Sequence, residues 1–306
     1  MSRTATGIVM AAIGGIIFGT SAAVVGFVID EFDPFRLSAL RVAIAGLCML
    51  PWAIAYRSQI SRAPARVAVV GVLQIVLNGF FYISISRIGV GPAVGLEFLA
   101  PVLVVVWDRV AGHARPRPIT WAAVISSVIG VGLVVQIGNL ETLDVVGVIA
   151  GFLSAVFLAT YLRLSEDVGA IVGGFPLAAG AIAMGGVVGF FIARPWSMPV
   201  PSDPTVVWAV VALGTLAMAL PLSLEIASLS RTPARIVGVV ITIEPVAAAL
   251  TAWVILDESL VVSQMVGLVL IVVAVAAVSL TAASARQTPP TNSFPSGEGG
   301  SPNAPA

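Results

Sequence analysis

The chain has 306 residues, 58% of them hydrophobic and only 10% charged, with a formal net charge of zero and a mean hydropathy of +1.07. Soluble domains carry about 25% charged residues, so this composition excludes a water-soluble globule and points to an integral membrane protein. All fifteen basic residues are arginine with no cluster suited to nucleic acid, and the single cysteine, Cys48, excludes a disulfide framework or a thiolate metal centre.

Apolar windows of ~20 residues, long enough to cross the hydrocarbon core, fall in chain order at 5–29, 35–56, 67–86, 89–110, 119–137, 145–163, 168–193, 205–228, 233–255 and 260–283. They predict an all-α integral membrane protein with ten transmembrane helices. The first window is too long for the apolar core of a secretion signal and is read as a retained helix. Turn and charge signals mark the connections, among them DEFDPF, RSQISRAPAR, AGHARPRP, GNLETLD, RPWSMPVPSDP and LDES. The end of the chain, 284–306, is rich in Pro, Ser and Gly and is expected to be a disordered cytoplasmic tail.

Arginine placement sets the orientation. One face collects Arg3, Arg57, Arg62, Arg66, Arg109, Arg115, Arg117, Arg163, Arg231, Arg235 and Arg286, whereas the other has Arg36, Arg87 and Arg194. The positive-inside rule puts the first set, and with it both termini, in the cytoplasm of a cell (plasma) membrane. Acids gather on the opposite face: Asp30, Glu31, Asp33, Glu141, Asp144, Asp203, Asp257 and Glu258.

The halves resemble each other. SRIGVGPAVGLEFLAPV from Ser86 aligns without gaps on SRTPARIVGVVITIEPV from Ser230, pairing Pro101 with Pro245 at an offset of 144 residues. GIVMAAIGGIIFGT from Gly7 aligns on GVIAGFLSAVFLAT from Gly147 at an offset of 140, and Pro51-Trp52 meets Pro195-Trp196 at 144. The chain therefore divides into a first five-helix repeat, 1–137, and a second, 138–283. Because five is odd, the copies would cross the membrane in opposite senses, as two inverted five-helix repeats.

A charged side chain near the bilayer centre costs about 2.5–3.5 kcal/mol unless it faces a cavity or partner, and four residues within the spans are candidates for such a role. Arg41 is about six residues, ~9 Å of helix rise, below the outer surface; it either clamps a helix contact or meets a substrate carboxylate. Glu225, near the inner end of span 8, can snorkel or pair with Arg231 or Arg235, and the structural reading is favoured. Glu97 and Glu244, midway along spans 4 and 9, reach neither surface, and proton exchange or cavity lining is favoured over a hydrogen-bonded structural role. Glu244 matches Ala100, three residues from Glu97, and helix positions three apart share a face. Pro101 and Pro245 follow these acids, and a proline's missing N–H leaves a helix carbonyl unpaired, predicting a hinge or polar notch; Pro221, four residues before Glu225, is a third hinge candidate.

Span 3 carries Gln74, Asn78 and Tyr82 in one stripe, which either glues helices together or faces substrate. Smaller polar candidates are Thr20 and Ser21 in span 1, Tyr161 in span 6 and Thr242 in span 9. No GxxxxGK[ST] loop and no HExxH occur, and His113 is the sole histidine. No catalytic residue, metal site or cofactor is expected, and the chain is not expected to be an enzyme.

LNGFFYISISRIGVGPAVGLEFLAP, LPLSLEIASLSRTPARIVGVVITIEPVAAALTAWVILDES and SALRVAIAG together resemble the EamA-type transporters of the drug/metabolite transporter superfamily, most closely the bacterial exporters of threonine and homoserine. The resemblance implies export of amino acids or related metabolites from a central cavity in exchange for protons. It carries over Arg41, Asn78, Tyr82, Glu97, Pro101, Pro221, Glu225, Glu244 and Pro245. AVFLATYL in span 6 and LDES after span 9 depart from the exporter pattern. The partners expected are a small-molecule substrate, in the first instance an amino acid, and the lipid bilayer, with no nucleic acid; homo-oligomerisation stays open. Two rivals stand beside amino-acid export. One is a drug or other metabolite carrier, with few basic groups for a nucleotide-linked sugar; the other is a membrane scaffold or sensor, which needs neither mid-span acids nor paired prolines.

Overall fold

A computed structural model of the chain describes residues 2–28, 32–88, 90–111, 116–134, 144–198, 201–255 and 261–284. The tail from 285, His113, and the loop acids Asp30, Glu31, Glu141, Asp257 and Glu258 lie outside the described residues.

Helix follows helix: α1 (Arg3–Val28), α2 (Pro34–Ala55), the single turn α3 (Arg57–Ile60), α4 (Pro64–Ile88), α5 (Val90–Glu97), α6 (Ala100–Val110), α7 (Pro118–Val134), α8 (Val145–Val172), α9 (Gly174–Ala193), α10 (Pro204–Gly214), α11 (Leu220–Leu229), α12 (Ala234–Val240), α13 (Ile243–Ile255) and α14 (Val262–Ser284). A π-helical turn, Thr215–Ala219, joins α10 to α11. Among the described residues, seven helical segments are long and apolar enough to cross a membrane, and Pro118–Leu133 and Val262–Ala277 are shorter apolar helices. Among the described residues each of the ten predicted windows is mainly helical, but the fourth and ninth are each broken in two and the seventh takes in the end of α8 before Gly173.

Local chemistry explains the helix ends. Asp33, Asp144 and Asp203 are N-caps, accepting from the backbone N–H of Arg36, Gly147 and Thr205, and proline opens α2 and α10. These acids, assigned above to one face by sequence, therefore start helices 2, 8 and 10. Arg36 closes an end in the same region by donating to the carbonyls of Ala193 and Arg194, at 3.1 Å each, past the end of α9.

One boundary differs from expectation. The sixth window was expected to end at 163, with Arg163 in a connection, but α8 continues to Val172 and stops at Gly173, whose φ of +94° favours glycine. Arg163 and Glu166 stay helical because they are held in an ion network described below.

Helix pairing has a consistent logic. α2 packs on α9 and α7 on α14, each helix meeting its own counterpart in the other half. α4 packs on α8 as α11 packs on α1; α5 and α6 pack on α8 as α13 packs on α1; and α4 meets α9 as α10 meets α2. Exchanging the halves leaves this pattern unchanged. Small residues permit the closest approaches, with Gly46 of α2 facing Gly186 of α9, so that a Cβ on either would come 2.5 Å from the other's Cα.

Candidate functional site

The two helix breaks fall within one residue of the same register. α5 ends at Glu97 and α6 begins at Ala100; α12 ends at Val240 and α13 begins at Ile243. Prolines dictate the breaks, since Pro101 and Pro245 cannot donate to the carbonyls of Glu97 and Ile241 four residues back. The chain instead tightens, with Leu99 N–H donating to the Leu96 carbonyl at 3.1 Å, Thr242 N–H to Val239 at 3.2 Å and Glu244 N–H to Ile241 at 3.0 Å. Glu97 closes one helix and Glu244 sits in the first turn of another, where the helix dipole favours a carboxylate.

Three carboxylates converge around these breaks. Glu97, Glu225 and Glu244 lie within electrostatic reach of one another, Arg41 lies within reach of Glu244, and Tyr161 within reach of Glu225. Glu225 is 7% exposed and Arg41 9%, whereas Glu97 and Glu244 are only partly buried. Among the described residues none of the three acids forms an ion pair. Glu97 accepts a hydrogen bond from the Ser154 hydroxyl at 2.9 Å. α1 packs closely on the helices of Glu225 and Glu244: Gly14 lies against the Pro221 carbonyl, Gly15 against Ile243, and Gly19 against the Glu244 carbonyl.

Arg41 donates to the Ala217 carbonyl over a long 3.4 Å, and its Nε has no partner. Pro221 accounts for this acceptor, because it cannot supply the N–H that Ala217 would receive in a regular helix. The π-helical turn of Thr215–Ala219 lies immediately before it. Arg41 is thus a buried cation held by one carbonyl, with donors to spare.

The other predicted residues divide. Gln74, Asn78 and Tyr82 are all partly buried on α4, but the Asn78 amide donates to the carbonyl of Gln74 in its own helix at 2.6 Å. Tyr161 is buried with its hydroxyl unpartnered, and Gln74 Oε1 is likewise unpartnered; both line a narrow pocket with Met218, Leu222 and Ile226. At an offset of 144 those three apolar residues are the counterparts of Gln74, Asn78 and Tyr82, so one half presents polar groups where the other presents apolar ones. Thr20 does not join the cluster: it is exposed, and its hydroxyl donates to carbonyls of its own helix. Ser21 and Thr242 are buried and donate likewise, to Phe18 and Val239.

The expected partners of Glu225 are engaged elsewhere. Arg231 donates to the Ala227 carbonyl at 2.6 Å, and Arg235 pairs with Asp108 at 3.1 Å. Arg235 occupies the first turn of α12 beside the end of α6, more than two helical turns beyond Glu225 in sequence. Asp108, overlooked in the sequence, is fully buried; it also lies 3.4 Å from Arg163, which bonds Glu166 at 2.6 Å. Glu166 accepts from the Ala234 N–H at 2.9 Å, so two acids and two arginines tie α6 to α8 and α12. The signal was present as a lone aspartate in the apolar run APVLVVVWDRV. Ser154 was also overlooked, although it aligns with a glycine in the quoted repeat. Among the described residues no group of three His, Cys, Asp or Glu is placed to hold a metal ion.

Comparisons with known proteins agree with this architecture. The chain matches the EamA-like transporter family twice, over residues 5–136 and 145–280, which gives it two repeats. It is similar to the threonine/homoserine exporter RhtA of Escherichia coli (strain K12), 28% identical over 80% of this chain and 81% of that one, and to RhtA of Salmonella typhimurium (strain SL1344), 27% identical with the same coverage. It is also similar to an uncharacterised inner membrane transporter of Salmonella typhimurium (strain LT2), YicL, 25% identical over 92% of this chain and 97% of that one. A solved crystal structure superposes with a TM-score of 0.76 at 20% identity, covering 94% of this chain and 100% of the other, a likeness of fold. With two family matches spanning nearly all of its helices, the chain belongs to the EamA-like transporter family and is a multi-pass membrane transporter, not an enzyme.

Proposed function

We propose that the chain is a secondary active transporter that exports small amino acids of the threonine/homoserine kind across the plasma membrane, by alternating access coupled to protons. The observation that carries the reading is the meeting of Glu97, Glu225, Glu244 and Arg41 beside two broken helices, with no ion pair to the acids among the described residues. Acids withdrawn from water, wholly or in part, without a counter-charge are costly, and a proton or a substrate ammonium group removes that cost. Arg41 complements them with spare donors for a substrate carboxylate. The names of the RhtA relatives support an amino acid as the solute.

In this reading ten helical segments cross the membrane, five in 1–137 and five in 138–283, and the odd number inverts the second set. The arginine-rich end and both termini face the cytoplasm. Pro101, Pro245 and Pro221 let their helices bend during the exchange of access, and Asn78, Tyr82 and Tyr161 line the path.

The test is efflux from expressing cells over a panel of amino acids and toxic analogues, followed by proton-driven counterflow in vesicles. Threonine or homoserine should leave faster than in control cells, and Glu97→Gln or Glu244→Gln should flatten the pH dependence. Unchanged pH dependence in both variants overturns proton coupling; efflux of a drug but of no amino acid selects the wider metabolite-carrier reading.

A further inference from the structure

The two halves part company at one buried hydroxyl. In the repeat register Ser154 of α8 stands where α1 has Gly14, at the offset of 140. A Cβ on Gly14 would lie 3.0 Å from the carbonyl of Pro221. Ser154 Oγ lies 3.2 Å from the carbonyl of Leu77, and Leu77 is the counterpart of Pro221 at the offset of 144. Equivalent seats against equivalent carbonyls therefore hold a hydroxyl in one half and bare helix packing in the other.

That hydroxyl is fully buried, and its second neighbour is Oε1 of Glu97 at 2.9 Å. A serine carries one O–H and accepts through its lone pairs, so it cannot donate to Leu77 and Glu97 at once. The geometry offers two arrangements. With Glu97 ionised, Ser154 donates to Oε1. With Glu97 protonated, the carboxyl O–H donates to Ser154 Oγ, and Ser154 turns its own proton to the Leu77 carbonyl. In both, Glu97 keeps one partner in one place, although no proton passes along the backbone.

We infer that Ser154 is a positioning residue for Glu97, holding its carboxyl in the same orientation through protonation and deprotonation by rotating one hydroxyl between Glu97 and Leu77. Glu225 on α11 and Glu244 on α13 also face Glu97 electrostatically, yet neither receives a side-chain hydrogen bond among the described residues. Glu97 is thus the acid with a fixed address. The inference rests on the proposed function for its purpose in transport, while the hydrogen bond can be tested without any substrate.

The experiment is infrared difference spectroscopy of the full chain in lipid vesicles, taken between acid and alkaline pH. The carboxyl C=O band of Glu97 is identified by its loss in Glu97→Gln. Ser154→Ala should move that band to higher frequency and broaden it, because the carboxyl loses its fixed partner; Ser154→Thr, which keeps the hydroxyl, should restore it. In the Glu97→Gln background, Ser154→Ala should change nothing in the carboxyl region. A Glu97 band unaltered by Ser154→Ala, or altered equally by Ser154→Thr, overturns the assignment. L-threonine counterflow on the same vesicles separates the two readings: lack of threonine transport with the expected band shift sinks only the proposed substrate, whereas pH-dependent threonine transport with an unaltered band sinks only the role of Ser154.

Discussion

Two regions of this molecule withdraw acidic side chains from water, wholly or in part, and they treat them oppositely. At one end Asp108 is fully buried between Arg163 and Arg235, and Glu166 completes a set of two positive and two negative charges. Near the helix breaks Glu97, Glu225 and Glu244 lie within electrostatic reach of one another with no ion pair among the described residues, and Arg41 lies within reach of Glu244. The first region is compensated and joins three helices. The second holds its acids without a counter-charge, a role that the proposed function gives to a proton or a ligand. The difference teaches that burial alone does not mark a functional acid, since Asp108 is the most deeply buried and is fully compensated; the lack of a counter-charge is the feature on which the proposed function rests.

Disrupting the compensated region should have the largest effect on stability. Asp108→Ala strands Arg235 and leaves Arg163 with Glu166 alone, and breaking a buried pair from one side costs about 3–5 kcal/mol; a large drop in the unfolding midpoint in detergent is expected. A loss of under about 1 kcal/mol would make the network no more structural than a surface contact. Glu225→Gln and Glu244→Gln, by contrast, remove charges that have no counter-ion to strand, so stability should change by less than about 1 kcal/mol, while threonine efflux falls at least about tenfold, the equivalent of ~1.4 kcal/mol on the barrier. A stability loss matching that of Asp108→Ala would erase the contrast. Arg41→Lys keeps the charge but loses the planar fork; the KM for threonine should rise several-fold with the unfolding midpoint almost unmoved, and an unchanged KM would remove Arg41 from the substrate's path. The smallest effect belongs to the exposed pair Arg87–Asp144, 3.6 Å apart: Arg87→Ala should cost about 0–1 kcal/mol, and a cost near that of Asp108→Ala would show that burial is not what separates the regions.

Sequence made the helices legible because lipid demands length and apolarity from each segment separately, a local property. The paired prolines were legible too, since a missing N–H acts within four residues. Partner choice was not. Arg235 lay within sequence reach of Glu225 but bonds Asp108, 127 residues away, and α8 runs on past Arg163 because its charges meet partners from α6 and α12. Thr20 read as a cavity candidate, yet its hydroxyl is satisfied by its own helix.

The sequence by itself determined an all-helical membrane chain, its internal duplication and the identity of the acids that must be accounted for, since hydropathy, repeat register and proline chemistry are written along the chain. Only the tertiary structure decided which charges compensate one another, that Ser154 rather than an arginine attends Glu97, and that Gln74 and Tyr161 share a narrow pocket with the apolar Met218, Leu222 and Ile226. Those are distances between residues far apart in sequence, and packing alone sets them.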